Sequence, residues 1–145
     1  YTFAGSNFGS LQSDILQTPT LSYFVAENML ASAMQLGAKG CYSSIIGTNP
    51  AFMQKYYDTC AAGKWNEAIE MQKFLAKFFI QLGALISQLE EGDADPVVDK
   101  AMSVASGCLK AHQRCRPPYI GWSDKSIAVL RDWMKKNYPE LIYPE

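Results

Sequence analysis

The stretch "GAKGCYSSIIGTNP", from Gly37 to Pro50, gathers a thiol, a phenol and two adjacent serine hydroxyls between paired glycines and an Asn-Pro helix opener. A serine or cysteine becomes a nucleophile when a base stands within hydrogen-bond reach to take its proton. The single histidine, His112, has no Ser and carboxylate arrangement around it, so a hydrolytic triad is not expected and His112 reads as structural or solvated. The four cysteines, Cys41, Cys60, Cys108 and Cys115, form neither a C-x-x-C pair nor a Cys-His pattern, which argues against a zinc site. They are expected to be reduced thiols of a cytoplasmic protein, with a Cys108 to Cys115 disulfide as the alternative. No metal and no cofactor is expected.

Composition narrows the classes. Of 145 residues, 48% are hydrophobic and 19% charged, the profile of one ordinary soluble domain. Thirteen basic residues against fourteen acidic ones leave no excess to neutralise a phosphate backbone, so nucleic acid is not an expected partner. The longest apolar run, "FLAKFFIQLGALI", is interrupted by Lys77, Gln81 and Gly83 and is too short to cross a bilayer core of about 30 Å. No membrane association is expected. The opening "YTFAGSNFGS" lacks the basic start and apolar middle of a signal peptide and does not begin with Met, which suggests residues upstream.

The elements that must position any site alternate at first. Phe8, Leu11 and Ile15 fall on one face of a short helix ended by Thr18 and Pro19. "TLSYFV" reads as a strand, "AENMLASAMQLG" as a helix closed at Gly37, and "GCYSSII" as a second strand. Asn49 and Pro50 then open a helix that runs to about Ala62, with Gly63 as terminator. Such alternation is the pattern of parallel strands joined by helical crossovers. From Trp65 the pattern is wholly helical. Trp65, Ile69, Phe78, Leu82, Leu85 and Leu89 recur at helical intervals, and Phe74, Leu75, Phe79 and Ile80 widen the apolar surface enough to predict burial on two sides. Asp95 as N-cap with Pro96 opens another helix to about Ser106, and Ser123 caps a last one to about Asn137, with Ile127, Leu130 and Met134 on one face.

The order of these signals resembles the C-terminal part of the pyruvate-dependent class I aldolases, the N-acetylneuraminate lyase and dihydrodipicolinate synthase superfamily. "MQLGAKGCYSS" is similar to the family's helix, Gly-Ala-x-Gly turn and eighth barrel strand. "NPAFMQKYYDTCAAGKWNEAIEMQ" is similar to the helix, turn and helix that follow, and "RCRPPYIGWSD" to the Arg-Pro-Pro loop before the last helix. The resemblance implies an α/β fold: the last two strands of a (β/α)8 TIM barrel in residues 1–63, then a helical extension in residues 64–145. It also implies Schiff-base chemistry on pyruvate or another small 2-keto acid in a homo-oligomer, usually a tetramer. N-acetylneuraminate lyase is the nearest member by the opening "YT" and Ser44. Dihydrodipicolinate synthase, another 2-keto-acid aldolase, and a helical assembly module without chemistry are the alternatives.

In this family the Schiff-base lysine ends the sixth strand, immediately before the residue that Tyr1 matches. A chain beginning at Tyr1 is therefore expected to lack it and to be inactive alone. A Schiff-base amine must have its pKa lowered to be nucleophilic near neutral pH. None of the ten lysines, Lys39, Lys55, Lys64, Lys73, Lys77, Lys100, Lys110, Lys125, Lys135 and Lys136, ends a predicted inward-facing strand, so all ten read as surface residues.

Barrel enzymes react at the C-terminal ends of their strands, which makes Thr2, Glu27, Asn28 and Ser44 the polar candidates. By the resemblance, Thr2 matches a hydroxyl that contacts substrate, Val25 falls where a glycine offers its backbone, and Ser44 matches a serine of the lyase branch. Glu27 and Asn28 stand where that branch has an Asp-Glu pair holding a polyol tail, and both can hydrogen-bond hydroxyls. Alternatively, Glu27 and Asn28 are helix N-terminal residues favoured by the dipole. Gly47 stands where the family usually has Asn.

Overall fold

The computed structural model describes residues 7–144; Thr2 lies outside the described residues. Helix α1, Phe8–Gln17, starts where Asn7 accepts hydrogen bonds from the amides of Gly9 and Ser10 at 2.8 and 3.4 Å. Leu11 is fully buried, whereas Phe8 is exposed, so the inward stripe is narrower than the spacing predicted. The chain turns at Thr18, whose carbonyl accepts from the Leu21 amide, and β1 is reduced to Phe24–Ala26 because Thr20 and Leu21 belong to that turn and its bend.

A single 3-10 turn, Glu27–Met29, leads into α2, Leu30–Gln35. Gly37 ends it at φ +112°, a left-handed conformation that a side chain would resist. Strand β2, Gly40–Tyr42, then pairs parallel to β1, with Phe24 opposite Gly40, Val25 opposite Cys41 and Ala26 opposite Tyr42. The second predicted strand stops early. Residues Ile45–Gly47 form another 3-10 turn, held by Thr48, whose amide and hydroxyl both donate to the Ile45 carbonyl at 2.9 and 2.8 Å. Local hydroxyl bonds of this kind compete with the ladder, which is why "SSII" does not extend the sheet.

Asn49 opens α3, Pro50–Ala61, by accepting from the Phe52 amide at 3.2 Å. Gly63 follows at φ +69°, and α4 runs from Trp65 to Leu89. Residues 7–43 with 54–77 and residues 44–53 with 78–144 form two compact units. In the first, Leu11, Tyr23, Val25, Ala33 and Ala38 make one apolar cluster with Ile15, Met29 and Cys41 against it. Its helices are tied by polar contacts as well: the Tyr56 hydroxyl accepts from the Ala31 amide, and the Gln72 amide bonds the backbone and hydroxyl of Ser32.

The second unit is built on α5, Asp95–Ser106, and α6, Asp124–Asn137. Ala94, not Asp95, occupies the N-cap of α5, and Asp95 and Pro96 fill its first turn. Ser123 caps α6 by accepting from the Ser126 amide at 3.1 Å. The two helices pack on each other, burying Val97, Ala101, Met102 and Ala105 together with Ile127, Leu130 and Met134. Arg131 reaches from α6 to the last carbonyls of α5, donating to Ala105 and Val104 at 3.1 and 3.3 Å. Phe78 of α4 sits edge-on to Tyr138, whose hydroxyl donates to Gln81 Oε1 at 2.7 Å. Along α4, Leu75, Phe78 and Leu82 are buried, and Ile80 is 75% exposed in the single chain. No helix among the described residues is long and apolar enough to cross a membrane.

Candidate functional site

The first unit presents the ends of both strands. Val25 is buried, and its side chain lies in the apolar cluster, so only its backbone is left to offer a hydrogen bond. Glu27, two residues on, is buried in the turn after β1, while Asn28 is exposed. The pair is therefore split, with the carboxylate held inside and the amide in solvent. Ser43, at the end of β2, donates to Glu27 Oε1 at 3.5 Å, a long contact that nevertheless brings the two strand ends to one place.

Cys41 and Tyr56 both feel the charge of that carboxylate, and Cys60 interacts with the two of them. Burial, reinforced by the charge of Glu27 and by Cys60, pushes the Cys41 thiol up to about 12. Burial pushes the Cys60 thiol up to about 11 and likewise raises the Tyr56 phenol. All three groups hold their protons at neutral pH, so none is an ionised nucleophile there. Among the described residues no cluster of three or more His, Cys, Asp or Glu side chains is arranged to hold a metal ion.

Ser44 belongs to the second unit. Its hydroxyl hydrogen-bonds Asp99 of α5, a carboxyl raised by burial against that bond, with Asp95 adding repulsion. The two residues line a cleft of about 200 Å³ floored by Phe79, Leu82 and Met102. Both Ser43 and Asp99 escaped the sequence reading. Ser43 stood in the quoted hydroxyl run, but an unanticipated early end to β2 decides which of two neighbouring serines turns toward Glu27. Asp99 gives no local signal, because its partner comes from another element.

Of the ten lysines, Lys100 is half-buried, donating to the Arg114 carbonyl at 2.5 Å, and the other nine are exposed. His112 is exposed. Cys108 and Cys115 are free thiols.

Two adjacent parallel strands with a crossover helix, followed by helices alone, define the C-terminal part of a TIM barrel with a helical extension. The chain belongs to the dihydrodipicolinate synthetase family, whose model matches residues 14–137. Among solved structures it is similar to N-acetylneuraminate lyase from Fusobacterium nucleatum, at 20% identity and a TM-score of 0.67 over 94% of this chain and 44% of that one. It is similar to dihydrodipicolinate synthase from Aquifex aeolicus, at 17% identity and a TM-score of 0.72 over 99% of this chain and 46% of that one. A third, YagE, a prophage protein of the dihydrodipicolinic acid synthase family from E. coli K12 solved in complex with pyruvate, gives 18% identity and a TM-score of 0.70 over 97% and 45%. The chain thus spans less than half the length of these structures. Comparison with curated protein sequences gives no match.

Proposed function

We propose that this chain supplies the C-terminal part of a Schiff-base-forming aldolase or lyase acting on pyruvate and a 2-keto sugar acid, in the manner of N-acetylneuraminate lyase. The observation that carries the reading is the family match over residues 14–137. Dihydrodipicolinate synthase chemistry, or that of another 2-keto-acid aldolase, is the second reading within the class; structures of both kinds are among the similar folds, including the Fusobacterium lyase solved with pyruvate. In this reading residues 1–63 close the barrel and residues 64–145 form the extension, in a cytoplasmic homotetramer. A helical assembly role without chemistry draws support from the exposure of Ile80 on α4.

The reactive amine is supplied from outside the ten lysines. A Schiff-base lysine works because burial or a neighbouring charge lowers its pKa, and nine of these ten side chains are exposed. Glu27 serves as a fixed acceptor for a substrate hydroxyl, its orientation held by Ser43, and Asn28 contributes from the solvent side. Thr2 and the Val25 backbone bind near the keto acid, and Ser44 acts while bonded to Asp99.

Borohydride trapping with pyruvate tests the proposal. The 145-residue chain should gain no pyruvyl adduct. A longer protein joining this chain to a lysine-bearing sixth strand should gain one, on that lysine. Absence of an adduct in the longer protein rejects the aldolase mechanism, and an adduct on any of the ten lysines here rejects an outside amine.

A further inference from the structure

Ser44 lies on the wall of the cleft of the second unit, between α4 and α5. Asp95, Val98, Asp99 and Met102 line it from α5 at intervals of three and four, so a single face of that helix is presented, and Gly83 lines it from α4. Among the described residues nothing stands within 4 Å of the place where a Gly83 Cβ would be. Packing therefore does not call for glycine, a poor helix former, in the middle of α4, and its effect is to leave the cleft room. The charges on the lining are of one sign, Asp93, Asp95 and Asp99, with no Lys, Arg or His among the residues of the cleft.

A serine hydroxyl carries one hydrogen and two lone pairs, whereas an ionised carboxylate only accepts. In the bond between Ser44 and Asp99 the serine therefore donates, and its one hydrogen is spent. Whatever else meets Ser44 Oγ must bring a donor. A ligand hydroxyl can do so. A ligand carboxylate cannot, and it would also meet the repulsion of the acidic lining. We propose that Asp99 is a positioning residue: by holding the Ser44 hydroxyl it makes this serine an acceptor, and so makes the cleft select an aldehyde partner bearing hydroxyls over one bearing a carboxylate. That the ligand is an aldehyde rests on the Schiff-base reading; which ligand the cleft prefers rests on the bond and the lining alone.

Matched four-carbon probes test this. On the 145-residue chain, the methyl resonances of Val98 and Met102 should shift on titration with erythritol and stay in place with succinate. Gly83→Leu, which fills the cleft from a position where a Cβ meets nothing, should keep the fold and abolish the erythritol shift. In the longer protein supplied with pyruvate, D-erythrose should be preferred to succinic semialdehyde. Asp99→Leu should lower that preference roughly tenfold, the worth of one hydrogen bond, through KM and with kcat little changed. Ser44→Ala should do the same, and adding Asp99→Leu to Ser44→Ala should change nothing further, because Asp99 acts through Ser44. Failure of borohydride trapping would remove the Schiff-base reading and leave the erythritol result standing on the shorter chain. No methyl shift with erythritol, an equal shift with succinate, a preference that survives Asp99→Leu, or an Asp99→Leu loss that is the same for both aldehydes overturns the proposal.

Discussion

Gly47 lies in the 3-10 turn after β2, and its φ is not positive, so its role is one of space. A Cβ built there would stand 2.6 Å from Ser103 Oγ of α5 but 3.8 Å from Ser103 Cβ. The clash is thus with one hydroxyl. That hydroxyl donates to the Asp99 carbonyl at 2.8 Å, and the cheapest relief for Gly47→Ala is to rotate it away, forfeiting a bond worth about 1 kcal/mol. Against this, replacing Gly by Ala at a compatible backbone restricts the unfolded chain and contributes about 0.4–1 kcal/mol. Gly47→Ala alone should therefore be close to neutral. In a Ser103→Ala background the clash is gone and the same change should stabilise by about 0.4–1 kcal/mol, giving a coupling of about 1 kcal/mol, above the about 0.3–0.5 kcal/mol scatter of independent sites. Urea unfolding of the four proteins in the cycle measures it. A coupling indistinguishable from zero would refute the steric account, and the larger Gly47→Asn should cost more than Ala in the Ser103 background.

Three other outcomes follow from the same geometry. Phe78→Ala should cost about 3–5 kcal/mol in urea unfolding, since Phe78 is fully buried and packs on Phe79, Trp133 and Tyr138 at 5.0 to 5.7 Å; a loss under about 1 kcal/mol would mean the cluster is not the core of its unit. Cys41 and Cys60 have folded pKa values pushed up to about 12 and about 11 from 9.0, so above pH 9 the unfolded chain releases protons that the folded one keeps. Stability should then be flat from pH 7 to 9 with respect to these thiols and fall between pH 9 and 11, and a urea midpoint that holds in the wild type, or falls equally when both are replaced by Ala, contradicts this. Asp99, whose carboxyl is raised by burial, carries a cost when ionised; Asp99→Asn should raise stability at pH 7 and give no gain below the usual carboxylate range near pH 3.9, which a pH series of midpoints can check.

Element boundaries were legible where a single residue type does the work. Gly37, Asn49 with Pro50, Gly63 and Ser123 each mark an end that the structure places within a residue or so, because caps and left-handed turns depend on local chemistry. Strand length was not legible. Hydroxyl-rich "TLS" and "SSII" have strand-like composition, but the turn bond from Leu21 to Thr18 and the bonds from Thr48 to Ile45 take their backbones elsewhere. The candidate site was half legible: Glu27 is buried and Asn28 is exposed, a distinction that a 3-10 turn makes and a plain helix start does not announce. The bond between Ser44 and Asp99 depends on tertiary packing of α5 and has no trace in either segment alone.

The cap of α3 has a reach beyond its own turn. While Asn49 Oδ1 accepts from Phe52, its Nδ2 donates to the carbonyls of Glu140 and Ile142, 91 and 93 residues later, at 2.9 and 3.2 Å, and the next residue, Tyr143, donates its amide to the Ser106 carbonyl at 3.1 Å. The tail is thus a clasp, fastened at one point to the first turn of α3 and at another to the last turn of α5. Trimming the chain after Tyr138 would unfasten both helix ends together, so the C-terminus is a poor place to shorten this protein.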